Sequence, residues 1–187
     1  MDMIRAAIVG CGLIGAKRAK ASKEIQIVSC CDVDEARAQA LARTLPGADA
    51  STDWQATVRR PDLDLVFVAT AHDMLSAIAA EAAAAGKHVL VEKPGARSKA
   101  ELAPVRAAAG RSGALVRVGF NHRYHRAFRK AREIFQSGAL GEMMFVRGRY
   151  GHGGLLRERF IPRLLSADPP ATRMTGAAST RIGPGIC

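Results

Sequence analysis

The sequence predicts an α/β fold built on a doubly wound parallel sheet, and three observations carry that prediction. Short β-branched apolar runs alternate with longer Ala-rich amphipathic stretches, the pattern of βαβ units whose sheet is covered on both faces. The first run leads straight into Gly10-Cys11-Gly12-Leu13-Ile14-Gly15 and then a helical stretch, so the glycines stand in the strand-turn-helix context that dinucleotide binding requires. The second run ends on an acid, Asp32.

Taken in order, strands are expected at Ile4 to Val9, Ile25 to Cys31, Leu65 to Ala69, His88 to Val91 and Leu115 to Val118. Each is a short apolar run bounded by polar or turn residues. Helices are expected at Leu13 to Ser22, Asp34 to Thr44, Asp73 to Ala85 and Lys99 to Arg111. Asp34 and Ser98 stand where N-caps belong, and Gly86 and Gly113 where helices stop. After Gly119 the pattern changes. A basic amphipathic helix near Arg126 to Ser137 precedes Gly138 and Gly141, and Met143 to Tyr150 reads as a strand. The expected organisation is a dinucleotide-binding domain over 1–119, the start of an incomplete α+β substrate domain over 120–165, and a tail over 166–187. That tail's only large apolar residues are Met174, Ile182 and Ile186, too few for a packed element, so disorder is expected there.

Composition narrows the function classes. An apolar share of 48% and a mean hydropathy near zero describe a globular chain. No run approaches the ~20 apolar residues of a membrane span, and Met1-Asp2-Met3 opens directly onto a strand without a signal-peptide pattern. A cytoplasmic protein with no membrane partner is the expectation. Cys11, Cys30, Cys31 and Cys187 match neither a zinc-site spacing nor a disulfide framework, so no metal is expected. The net charge of +11 is uneven: residues 1–96 carry 11 Lys/Arg against 12 Asp/Glu, and residues 97–187 carry 17 against 5. A basic half raises nucleic-acid binding, which a steep salt dependence would reveal. The arginines are dispersed among apolar residues, however, with few aromatics for base stacking and no nucleic-acid module. An anionic cofactor or substrate is the better reading of that charge.

The glycine turn has a chemical logic. Gly10 serves the tight turn, Gly12 lets backbone approach a pyrophosphate, and Gly15 lets helix and strand pack closely. Leu13 and Ile14 open the helix, whose exposed N–H groups and dipole suit a phosphate. Asp32, 17 residues past Gly15, stands where an acid hydrogen-bonds the adenosine ribose. A carboxylate there repels a 2′-phosphate and argues for NAD, while Arg37 nearby leaves NADP open. The plain alternative is that the glycines only turn a corner and Asp32 caps the helix that begins near Asp34.

With Ala71-His72-Asp73, Glu92-Lys93-Pro94, Gly119-Phe120-Asn121-His122-Arg123-Tyr124 and the Gly138 to Gly141 turn added to the glycines, the chain resembles the Gfo/Idh/MocA oxidoreductases over about residues 3–152. The resemblance implies an NAD(P)-dependent oxidoreductase acting on a sugar, sugar derivative or cyclitol. It places Ala69, His72, Glu92, Lys93 and Pro94 beside the cofactor, often with a cis peptide before the proline, and gives Lys93 the catalytic position. An ammonium there can favour a developing alkoxide during hydride removal. It also places Asn121 and Arg123 over the nicotinamide, where their donors suit a polyhydroxylated or anionic ligand. Each has a plain structural alternative: a surface lysine, a helix-start histidine, a packing role for Asn121 and Arg123.

The chain also departs from the family. Members continue into a large open sheet carrying a Gly-Gly stretch, an Asp and, four residues on, a His, and nothing here matches it; the only acid after Glu158 is Asp168, with no histidine following. The Ala/Gly/Arg/Pro composition past about Gly154 is what a shifted reading frame in GC-rich DNA produces, so C-terminal truncation is expected. A nucleotide-binding remnant without activity stands as the alternative function. Family members associate through the open sheet, so a homo-oligomer stays open but would lack part of its interface.

Overall fold

The computed structural model describes residues 3–22 and 24–148. Six strands form one parallel sheet in the order β3-β2-β1-β4-β5-β6: β1 Ile4–Val9, β2 Ile25–Cys31, β3 Asp49–Ser51, β4 Leu65–Val68, β5 His88–Val91 and β6 Val116–Val118. The helices are α1 Leu13–Ala21, α2 Glu35–Ala42, α3 Trp54–Val58, α4 Leu75–Ala84, α5 Lys99–Ser112 and α6 Arg126–Gln136, with a 3₁₀ turn over Asn121–Tyr124. The predicted fold class is what forms. The strand order reverses beside β1, because β2 and β3 build outward on one side and β4 to β6 on the other. Ligands of such sheets bind at the carboxyl ends of the strands flanking that switch.

Side-chain alternation along the strands divides the core. Ala6, Ile8, Ile27, Cys30 and Phe67 face α1 and α2 with Ala19, Ala38 and Leu41. Ala7, Val9, Val66, Val68, Val89 and Val91 face the other way, against Val58, Leu75, Ile78 and Val105 of α3, α4 and α5. The central strands are buried on both faces, which is why they read as unbroken apolar runs rather than alternating ones.

Both expected N-caps are present. Asp34 Oδ1 accepts from the Ala36 and Arg37 N–H groups, and Ser98 Oγ accepts from Glu101 N–H. Gly113 closes α5 at φ 74°, and Gly86 follows α4 at φ 77°. Several predicted boundaries move by one or two residues. β4 ends at Val68 and leaves Ala69 in the loop, β6 starts at Val116, and α4 starts at Leu75, because 72–74 form a turn. β3, α3 and the 3₁₀ turn were not foreseen; each is three to five residues long, shorter than any periodicity can register.

The chain divides into two units between His125 and Arg126. Within the second, α6 forms as predicted, and Gly138 and Gly141 take φ 75° and 66°. The strand expected over Met143 to Tyr150 is a correction: residues 143–148 are extended-looking in sequence but carry no strand. A strand exists only with a partner to complete its hydrogen bonds, and the described residues offer it none. Residues 149 and 150, the 166–187 tail and Cys187 lie outside the described residues. Among the described residues no helix is long and apolar enough to cross a membrane, and no group of three or more His, Cys, Asp or Glu could hold a metal ion.

Candidate functional site

The strand register aligns the site. Val9 pairs with Cys31 and Val68, Val68 with Val91, and Val91 with Val118. The residues just past these positions, Gly10, Asp32, Ala69, Glu92 and Gly119, therefore stand in one row along the carboxyl edge of the sheet.

Gly10 has φ 97°, and a Cβ there would lie 2.5 Å from the carbonyl carbon and oxygen of Ala69. Gly10 thus closes directly onto the loop after β4, at the switch point. Gly15 is equally constrained, since a Cβ would fall 2.0 Å from the Gly10 carbonyl oxygen. Gly12 differs from both: a Cβ built on it meets no protein atom within 4 Å, so its surroundings are open on the side where α1 begins. Gly12 is the N-cap of α1 and offers no side-chain acceptor to the first-turn N–H groups. Leu13 is 71% exposed and Ile14 is exposed beside it. An open, uncapped helix start is a fit for a pyrophosphate.

Asp32 secures the other side of the turn. Its Oδ2 accepts from Cys11 N–H at 2.7 Å, and its Oδ1 from Asp34 N–H at 3.0 Å. The α2 cap is Asp34, so Asp32 is not the cap of that helix. One lone pair on each Asp32 oxygen is left for a diol, which suits a ribose. Arg37, the residue that left NADP open, is turned to Asp34 Oδ2 at 3.2 Å. Beneath the turn Cys11 is buried, with its thiol donating to Cys31 O at 3.4 Å. The Cys31 thiol is pushed up by burial, so it behaves as a small core residue rather than a nucleophile.

Past β5, Glu92 to Gly95 make a tight turn. Gly95 N–H donates to Glu92 O at 2.9 Å, and the Lys93–Pro94 peptide within it is cis; a cis proline in the third position defines a type VI turn. Glu92 N–H donates to Val68 O at 2.8 Å, and a Cβ on Gly95 would meet Val118 at 2.9 Å. Lys93 projects from this anchored turn and is exposed. The Glu92 carboxylate turns inward to Arg18 of α1, whose Nε donates at 2.7 Å and whose Nη2 donates to the same oxygen.

His72 is exposed in the turn before α4, and Ala69 N–H donates to Val9 O at 2.7 Å. Asn121 and Arg123 lie in the 3₁₀ turn beyond β6, where Asn121 N–H donates to Gly119 O and the Arg123 guanidinium lies 6.0 Å from the Tyr124 ring centroid. The structure thus brings the glycines, Ala69, Asp32 and the Glu92 turn to one edge. Sequence reasoning missed Arg18 and Gly95: a lone arginine in a helix's last turn has no signal that ties it to a carboxylate 74 residues away.

This fold and edge define a dinucleotide-binding Rossmann domain. Residues 4–120 match GFO_IDH_MocA, an oxidoreductase family with an NAD-binding Rossmann fold. The chain belongs to this Gfo/Idh/MocA family, and NAD is its cofactor. It is 31% identical over 124 residues to 1-carboxy-3-chloro-3,4-dihydroxycyclo hexa-1,5-diene dehydrogenase of Comamonas testosteroni, covering 66% of this chain and 31% of that one. It is 28% identical over 168 residues to inositol 2-dehydrogenase of Salmonella typhimurium, covering 87% of this chain and 50% of that one. Among solved structures, GenD2 from gentamicin A biosynthesis in complex with NAD superposes at TM-score 0.68 with 30% identity, covering 74% of this chain and 40% of that one. The chain spans half or less of the length of these relatives.

Proposed function

We propose that this chain carries the cofactor half of an NAD-dependent dehydrogenase that moves hydride between nicotinamide and a hydroxyl-bearing carbon of a sugar, sugar derivative or cyclitol. The observation that supports it most directly is the row along the carboxyl edge, which sets an open glycine turn, a ribose-directed carboxylate and an exposed lysine beside one switch point. Gly12, Leu13, Ile14 and Gly15 present helix N–H groups to the pyrophosphate, with Gly10 closing the turn against Ala69. Asp32 accepts from the adenosine ribose. Glu92 and Pro94 shape the turn, His72 stands at the rim, and Lys93 is the catalytic residue. NAD, when bound, supplies the hydride acceptor. The Lys93 ammonium would donate to the substrate oxygen and stabilise the alkoxide formed as the hydroxyl proton passes to solvent, the species that gives up hydride as its carbonyl forms. Asn121 and Arg123 supply polar contacts to the substrate, and residues from about 120 onward open the substrate domain. Nothing among the described residues specifically favours an inactive remnant.

The names of two relatives support the sugar-or-cyclitol reading. One acts on a chlorinated dihydroxy-cyclohexadiene carboxylate and another on inositol; both substrates are six-membered carbocycles bearing hydroxyls. Titration with NADH and NADPH, followed by nicotinamide fluorescence, tests the cofactor assignment. Saturable NADH binding is expected, with Asp32→Ala weakening it about tenfold or more, the scale of a hydrogen bond to a charged group. Equal affinity for NADPH, or an Asp32→Ala chain that binds as the parent does, would overturn the assignment. Where a polyol supports turnover, Lys93→Ala should lower kcat by ~10² to 10⁴ while leaving the Kd for NADH near its parent value.

A further inference from the structure

Glu92 is half-buried, whereas Lys93 and Pro94 of the same turn are exposed. It runs under the sheet's end to α1, where both Arg18 donors converge on a single carboxylate oxygen, and the two side chains are only 24% and 13% exposed. The pair is roofed by β6: a Cβ on Gly119 would lie 2.9 Å from Arg18 Nη2 and 3.4 Å from Glu92 Oε1. Three elements thus meet at one ion pair. They are the helix whose start faces the pyrophosphate, the turn that carries Lys93, and the strand end that leads to Asn121. Helix α1 has few other attachments, since only Gly15 and Ala19 are buried along its length. The ion pair ties α1 to the turn after β5, two strands away from β1.

We propose that Arg18 is a positioning residue for Lys93, holding the Glu92-Lys93-Pro94-Gly95 turn at a set distance from the glycine turn through its pair with Glu92. This rests on the NAD-dehydrogenase reading above. The pyrophosphate and the nicotinamide lie at opposite ends of half a dinucleotide, so one end is held by α1 and the other faces the Lys93 turn. An ion pair between the two fixes the span that the cofactor bridges. Arg18 also keeps the Glu92 carboxylate away from Lys93, leaving the ammonium available to a hydroxyl. Glutamine at position 18 cannot reproduce the paired donation, because the five-donor guanidinium fork has no amide equivalent.

The test uses the full chain and NADH itself. Kd is measured together with the emission of the bound nicotinamide, which reports how firmly that end is held. In Arg18→Gln the Kd is expected to stay within about threefold of the parent, less than 1 kcal/mol, while the emission gained on binding is lost. Arg18→Lys is expected to restore part of it, and Glu92→Gln to reproduce the loss from the other partner. Full parental emission in both Arg18→Gln and Glu92→Gln overturns the proposal. So does a loss of emission that only tracks a lowered Tm and that Arg18→Lys does not relieve. A parent chain that is folded and binds no NADH overturns the cofactor reading itself, and the proposal with it.

Discussion

Gly15 has no alternative in this chain. A methyl group there would sit 2.0 Å from the Gly10 carbonyl oxygen, which is backbone and cannot yield as a flexible side chain would. Gly15→Ala is therefore expected to destabilise by ~1 to 3 kcal/mol through overpacking, read as a lowered urea midpoint with unchanged slope. Gly12→Ala is the contrasting case, since its Cβ enters open space. It should leave the midpoint nearly unchanged and weaken NADH binding, because the methyl occupies the volume that the pyrophosphate needs. Finding both variants equally destabilised would contradict the division of roles within the turn. At this scale the glycine spacing was legible in the sequence, as was Asp32. The partner of Asp32 was not: that Cys11 N–H donates to it follows from the β1–β2 register, which no local pattern specifies.

Helix ends show the same division at the scale of elements. Asp34 and Ser98 are recognisable as caps because short polar acceptors precede amphipathic stretches, and both accept backbone N–H groups in the fold. Asp34→Ala is expected to cost about 1 kcal/mol in thermal or urea unfolding, with NADH affinity preserved. An unchanged midpoint would mean that α2 is held by packing of Ala38, Leu41 and Ala42 rather than by its cap. Start and stop signals carry no information about elements without periodicity, so β3, α3 and the 3₁₀ turn went unseen. Residues 143–148 fail in the opposite direction: their apolar run has the composition of a strand, but pairing rather than composition makes one.

Across the whole Rossmann unit, a charged seam joins segments that are distant in the chain. Asp62 accepts from Arg60 at 2.9 Å and from Arg5 at 2.7 Å, and Arg60 also pairs with Asp49, whose Oδ1 accepts from Ser29 Oγ at 2.6 Å. The Arg60 guanidinium first, and that of Arg5 second, hold the Asp62 carboxyl well below the usual carboxylate range. Because the folded-state value is depressed, the stabilisation is present above the unfolded carboxylate value of ~4 and is lost as pH falls below it. Asp62→Asn should flatten the decline in Tm below about pH 4. A parent chain and variant with parallel acid limbs would show that the seam is screened by solvent and contributes little.

The sequence alone determined the α/β class, the glycine turn, the acid that follows β2, the Lys-Pro turn and the family, because each depends on local periodicity or on residue types at fixed short spacing. Tertiary structure decided what those residues do to one another. Gly10 meets Ala69, Asp32 meets Cys11, and Arg18 meets Glu92 only because parallel strands 20 to 80 residues apart share a register. Such contacts are set by the packing of two core faces onto one sheet, a property of the assembled chain that no segment carries by itself.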